Sequence, residues 1–454
     1  MNLNTKLKKV DKDSRNVVLN MVNTLLVKGG ALVVALLTTP EYMRYFNNKS
    51  VLGVWYTMLS ILTWVLYFDL GIGNGLRNKL VESIASGNIK KQKEYVSSAY
   101  IFLSFVAAAL AVILLVICRF INWNVVFNVS EVDISRQLLT SAVMIVLSGI
   151  ICQFVLRLIS SIMYAIQKAF IPNLMSLITN TMVLLFVFIA NRTGNNNRII
   201  LLSWVYFVAS ILPMLVATLY VFLFPLRSIR PNIHCYQKDC AIEVFKTGSG
   251  FLILQIAGMM IGNSFVVYLI SVLLGAASVV EFNVYYKIFS NAFMLFTILM
   301  TPIWSAITKA MAIGRFEWIK RMLKKLRFAL IAIFFAQFSV VPIMQTVFDI
   351  WLGDQTIPAD LMIQLVFILN NGIMMLYQLN AQICNGLGEL KRQIKWMLTA
   401  NVLLIFLSFL FTRVYAHYTS IIVAQTVALI PYCAVMSRWL DKYINQNAYM
   451  KREE

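Results

Sequence analysis

Between Val17 and Met436 the chain is a succession of about twelve long apolar stretches with little sequence between them. A stretch of roughly 20 apolar residues is long enough to cross the hydrocarbon core of a bilayer. Backbone in lipid has no water to bond to, so each stretch is committed to helix. The pattern predicts an all-α polytopic membrane protein. The expected spans are 17–39, 51–75, 95–118, 138–163, 168–191, 199–224, 246–272, 277–305, 328–351, 360–385, 394–412 and 418–438. An even number of spans places both termini on one side. No room is left for a soluble catalytic domain, so the expectation is a membrane protein that is not an enzyme and carries no cofactor.

Charge says which side the termini occupy. The chain holds 39 Lys and Arg against 19 Asp and Glu, a formal +20. In a soluble protein that excess would suggest nucleic acid. Here only 13% of residues are charged and 60% are hydrophobic, and the bases sort by loop, so no nucleic-acid partner is expected. One side carries the N-terminus, the loop after the second span, the central polar segment, the loop after the eighth span and the C-terminal tail. Bases on the other side are confined to Arg44, Lys49, Arg119, Arg136, Arg192, Arg198 and Arg413. Lys and Arg gather in cytoplasmic loops, which predicts cytoplasmic termini. The basic N-terminus precedes an apolar stretch too long for a signal-peptide core, so that stretch reads as a permanent helix.

Metal and nucleophile chemistry find little support. Four of the six cysteines lie in or beside apolar stretches, where Cys acts as a small hydrophobe. Cys235 and Cys240 follow His234, but no second ligand cluster completes a metal site. His417 is the only other histidine.

The chain repeats itself. "ASGNIKKQK" at 85–93 and "AIGRFEWIK" at 312–320 share Ala-x-Gly-x-apolar and a closing Lys, half the chain apart, each after the second helix of its half. A looser match pairs the stretches from Asn180 and Asn401. This predicts a six-helix lobe over 1–224, a cytoplasmic linker over 225–245 and a second six-helix lobe over 246–454. Six is even, so the repeats run parallel, and in such transporters the substrate path lies between the halves. Within 309–327, Phe316, Ile319, Leu323 and Leu326 fall at helical spacing with Lys320, Lys324 and Arg327 on other faces. That reads as an amphipathic helix on the cytoplasmic surface, its bases toward anionic head groups of membrane lipids.

Charges inside spans are costly and usually face the bundle interior. Lys28 lies near the middle of the first span, followed by Gly29 and Gly30. It reads either as a cation lining a cavity for an anionic substrate or as the partner of Asp69. Arg157 and Lys287 are further candidates for that cavity, and Arg suits bidentate phosphate recognition. Glu281 lies nearer the outer surface. Asp69 opens "DLGIGNGLRNKL", where Gly71, Gly73 and Gly75 suggest either a hinge or gate or a close helix crossing. Amides recur within spans, among them Asn263, Asn370, Asn371, Gln378 and Asn380, and point to a wet interior suited to hydroxyl-rich cargo.

Residues 45–88 resemble the second-helix region of bacterial O-antigen (Wzx-type) flippases. Residues 251–293 and 301–323 resemble the start of the second half of those proteins. They belong to the superfamily of multidrug exporters, lipid II flippases and polysaccharide exporters. The resemblance implies a V-shaped two-lobe bundle with alternating access in the bacterial inner membrane. It implies undecaprenyl-pyrophosphate-linked oligosaccharide as cargo, H⁺ or Na⁺ as counter-ion and the polysaccharide polymerase machinery as a partner. Lys28, Arg157 and Lys287 would supply the cationic cavity, by type and location. The competing readings are a drug antiporter of the same fold, expected to favour acidic residues, and a membrane polymerase or glycosyltransferase, expected to carry a larger extramembrane loop.

Overall fold

A computed structural model describes residues 26–450 apart from 68–70, 167, 169, 192–197, 250–251, 313 and 388–389. Asp69 and the first residues of the opening span lie outside the described residues. Among the described residues every regular element is helical. In chain order the helices are α1 (26–46), α2 (Lys49–Tyr67), α3 (Ile72–Ala85), α4 (Ile89–Phe120), α5 (Trp123–Phe127) and α6 (Arg136–Leu156). Next come α7 (Leu158–Ala165), α8 (Phe170–Ala190), α9 (Arg198–Leu223), α10 (Lys238–Ser249), α11 (Leu252–Ile261) and α12 (Asn263–Leu274). The last six are α13 (Ser278–Ala312), α14 (Phe316–Ala336), α15 (Met344–Leu352), α16 (Leu361–Leu387), α17 (Leu390–Val414) and α18 (Thr419–Met450).

Eight spans among the described residues are long and apolar enough to cross a membrane, and the bent pair α11–α12 makes a ninth. Helices α1, α2 and α13 occupy the places of the remaining three expected spans. Apolar side chains face outward along the spans, as on α4 with Phe105 76% exposed and on α17 with Val402 68% exposed. On helices long and apolar enough to cross a membrane, such surface belongs against lipid. The protein is a multi-pass membrane protein.

The chain divides into two compact units. Unit 1 contains residues up to Asn48, Ile61–Val126 and Ser130–Ile253; unit 2 contains Lys49–Ser60, Phe127–Val129 and Leu254 onward. The core of unit 1 is a stripe of Ile72, Leu76 and Leu80 on α3, packed with Val96 and Leu103 of α4, Leu158 and Ile162 of α7 and Val244 of α10. The polar segment between the sixth and seventh expected spans thus contributes a helix, α10, to this core. The core of unit 2 joins Phe296 and Met300 of α13, Met375 and Ile383 of α16 and Tyr432, Met436 and Ile444 of α18.

Phe316, Ile319, Leu323 and Leu326 are buried in that same core. The apolar stripe of the amphipathic segment therefore meets α18 and its neighbours, and α14 runs from Phe316 to Ala336 without a break. No Gly or Pro interrupts the helix, and Leu330 and Ile333 extend the stripe into the span. The helix yields to a 3₁₀ stretch over Gln337–Ile343, which contains Pro342, a residue that removes a helical donor.

The repeated motif adopts one geometry twice. Gly87 has φ 67° and Gly314 has φ 68°. In each turn the glycine N–H donates three residues back (Ile84, Met311), and the next N–H donates five residues back (Asn88 to Ser83, Arg315 to Ala310). This Schellman-type ending satisfies the last carbonyls of α3 and α13 and needs a left-handed residue, hence glycine.

Candidate functional site

One cavity of unit 2 begins at a helix break. The span expected over 246–272 is two helices, α11 and α12, bent by 52° at Gly262. A break inside the membrane leaves carbonyls without intrahelical donors, and these must find partners. Gln425 on α18 supplies one, its Nε2 donating to the Ile261 carbonyl at 2.6 Å. Its Oε1 accepts from Asn370 Nδ2 of α16 at 2.9 Å, and Asn370 also donates to Thr426 at 3.0 Å. The next residue, Asn371, donates to the Phe289 carbonyl at 2.7 Å and to Gln337 Oε1 at 2.8 Å. Two adjacent amides thus tie α16 to α18, α13 and the end of α14.

The cavity beside this network measures ≈ 280 Å³. Its polar lining is Asn263, Ser290, Asn370, Asn371, Gln378 and Gln425, and Tyr286 and Tyr377 also line it. Among the described residues, the lining contains no Asp, Glu, Lys or Arg. Asn263 Oδ1 is buried without a hydrogen-bond partner among the described residues, which makes it an acceptor open to a donor in the cavity. The apolar wall is a stack: Phe282 lies 5.7 Å from Tyr286 at 19° and 5.7 Å from Phe367 at 33°. Near the start of α13, Tyr418 donates to Glu281 at 2.9 Å, and its ring meets Phe282 edge-on at 6.2 Å. Planar amides beside aromatic faces suit hydroxyl-bearing rings better than ions.

The candidate cations lie elsewhere. Lys287, on α13 in unit 2, is half-buried and is not among the residues lining the cavity, although Tyr286 and Ser290 are. Its Nζ sits 5.8 Å from the centre of the Tyr56 ring, a cation–π distance. Lys28 is half-buried on α1 of unit 1; a methyl group at Gly29 would meet nothing within 4 Å, whereas Gly30 approaches Leu177. Arg157 is exposed at the junction of α6 and α7. There Tyr164 feels both Arg157 and Arg77, the latter's guanidinium 5.5 Å from its ring.

The glycines after Asp69 form a close crossing. Gly71 caps α3 with φ 74°. A methyl group at Gly248 of α10 would stand 2.2 Å from the Gly71 oxygen, and one at Gly75 would stand 2.0 Å from the Val244 oxygen. Gly73 is buried in the first turn of α3. Here α3 and α10 touch backbone to backbone.

Gln425 escaped the sequence reading because one amide in an apolar span carries no periodic signal. The Gly262–Asn263 pair, in the middle of an apolar run, was the visible trace of the break.

Solved structures with this arrangement of helices are known. A multidrug resistance MATE family transporter of the MOP superfamily, in its inward-facing conformation, superposes with a TM-score of 0.69 over 92% of this chain and 96% of that one, at 11% identity. The lipid II flippase MurJ, inward closed, gives 0.68 over 93% and 87% at 15% identity. The chain shares the fold of these two proteins. A MOP superfamily transporter from Pyrococcus furiosus, described as having a binding pocket of reverse polarity, gives 0.62 over 94% and 96% at 12% identity. At these identities the likeness is one of fold. No protein-family model matches the chain, and no curated protein does.

Proposed function

We propose that this protein is a flippase that carries lipid-linked oligosaccharide, joined through pyrophosphate to a polyprenol such as undecaprenol, from the cytoplasmic to the outer leaflet of the bacterial inner membrane. The observation that carries the reading is the lining of the unit 2 cavity: amides, hydroxyls and stacked aromatic rings, with no Asp, Glu, Lys or Arg among the described residues. Such a lining offers hydrogen bonds and ring faces to sugars and no counter-charge to a cationic drug. The candidates for the pyrophosphate are Lys28 and Arg157 in unit 1 and, separately, Lys287 in unit 2, and the basic loops orient the termini toward the cytoplasm. Sugars and pyrophosphate cannot enter hydrocarbon without losing hydration at several kcal/mol per polar group. A polar cavity removes that cost while the polyprenyl tail stays in lipid. Coupling to H⁺ or Na⁺, through Asp69, completes the cycle.

A strain lacking the gene tests the reading. Accumulation of complete repeat units on undecaprenyl pyrophosphate, with loss of surface polysaccharide, is the expected result. Unchanged surface polysaccharide with altered drug tolerance would instead make the protein an antiporter, and incomplete units would point to a glycosyltransferase.

A further inference from the structure

A second cavity in unit 2, ≈ 320 Å³, lies between the first half of α14 and the C-terminal part of α18. It shares no lining residue with the amide cavity, and its chemistry is independent of the flippase reading. Lys320, Arg321, Lys324 and Arg327 face it, against the two carboxylates of Glu317 and Asp441. Bases therefore outnumber acids at its wall. Arg327 is held in place by Asp441, Nη1 to Oδ1 at 2.9 Å. The second guanidinium nitrogen, Nη2, is buried without a hydrogen-bond partner among the described residues. A guanidinium with one edge fixed and the other free is preorganised for a phosphate oxygen.

The surface beside the cavity says what kind of phosphate. Lys320, Lys324, Phe328, Ile331 and Phe335 succeed one another at helical spacing on one face of α14. Phe328 is 73% exposed and Phe335 63%. A single stripe therefore passes from two ammonium groups to bare apolar side chains on an uninterrupted helix. A soluble phosphate would need only the first part of it. An amphiphile with a phosphate head and acyl chains uses both.

We propose that this cavity binds the phosphodiester of an anionic membrane lipid, with its acyl chains along Phe328, Ile331 and Phe335. Lys320, Lys324 and Arg327 hold the phosphate, Asp441 positions Arg327, and the lipid pins the polar ends of α14 and α18 together.

The test uses the full-length protein in neutral detergent, with native mass spectrometry as readout. The probes are phosphatidylglycerol, phosphatidylcholine, glycerol 3-phosphate and inorganic phosphate. K320Q/K324Q removes two exposed bases from the site, and K90Q/K93Q removes two from the start of α4 as a charge-matched control. The expected result is preferential binding of phosphatidylglycerol over phosphatidylcholine, weakened roughly 30-fold in K320Q/K324Q and unchanged in the control. The soluble phosphates should not displace the lipid. Equal weakening in both pairs, or none in K320Q/K324Q, would overturn the site. Glycerol 3-phosphate or inorganic phosphate binding as tightly as the lipid would overturn the choice of a lipid.

Discussion

The crossing of α3 and α10 can be made to reveal whether its glycines are there for packing or for motion. In Gly248→Ala the new methyl group would stand 2.2 Å from the Gly71 oxygen and 2.5 Å from its carbonyl carbon. Ordinary contact between carbon atoms begins near about 3.5 Å, so the intrusion is more than about 1 Å. The obstacle is backbone, which has no rotamer to change, and Gly71 is itself held at φ 74° with its oxygen accepting from the Gly75 N–H at 2.9 Å. Overpacking typically costs 1–3 kcal/mol, and a backbone obstacle puts this case at the upper end, about 3 kcal/mol. With about 2.1 cal/mol/K of unfolding entropy per residue, that corresponds to a Tm lower by about 3 °C if the whole chain melts together. If only the half containing unit 1 melts, the drop is about 6 °C. Thermal unfolding of the purified protein in detergent measures it. Gly29→Ala is the internal control: its methyl group meets nothing and its backbone is helical, so stability should hold or rise by about 0.5–1 kcal/mol. A Gly248→Ala protein with unchanged Tm would refute the packing argument. If that stable protein had also lost transport, the crossing would be a gate.

Gln425→Ala strips the Ile261 carbonyl and Asn370 of a buried partner and should cost about 2–4 kcal/mol, read as a lower Tm. The double variant N370A/Q425A should cost less than the two single changes together, and strict additivity would mean the two amides do not act as a unit. Lys28→Ala should abolish surface polysaccharide at normal protein level, with Lys28→Arg restoring part of it; normal polysaccharide in the Ala variant would remove Lys28 from the mechanism. Burial pushes the Cys240 thiol up, while Lys91 opposes the shift. A raised thiol pKa means less thiolate at neutral pH. In a variant keeping only Cys235 and Cys240, maleimide should therefore modify Cys235 first, and the Cys240 rate should climb only as pH passes the ordinary thiol range. Equal rates at pH 7 would contradict the burial.

Hydropathy was enough to place this chain in the membrane and to locate its helices, because a lipid-spanning helix is specified locally, by a length of apolar residues and little else. The repeated Ala-x-Gly was legible as a repeat, and the structure shows that both copies are turns at Gly87 and Gly314, where a helix end makes a local demand for a left-handed residue. Apolar patterning says much less about which face of a span is interior, since lipid and protein interior are both apolar. Lys287 and Tyr286 are sequence neighbours, yet one reaches toward Tyr56 and the other lines the cavity, because a helix turns about 100° per residue. Asn370 meets Gln425, and Gly248 meets Gly71, across long separations along the chain. Such pairings arise from how helices stack, and no local signal in either partner names the other. The amide network, the crossing of α3 with α10 and the basic cavity of α14 and α18 therefore emerged only when the helices were packed in three dimensions.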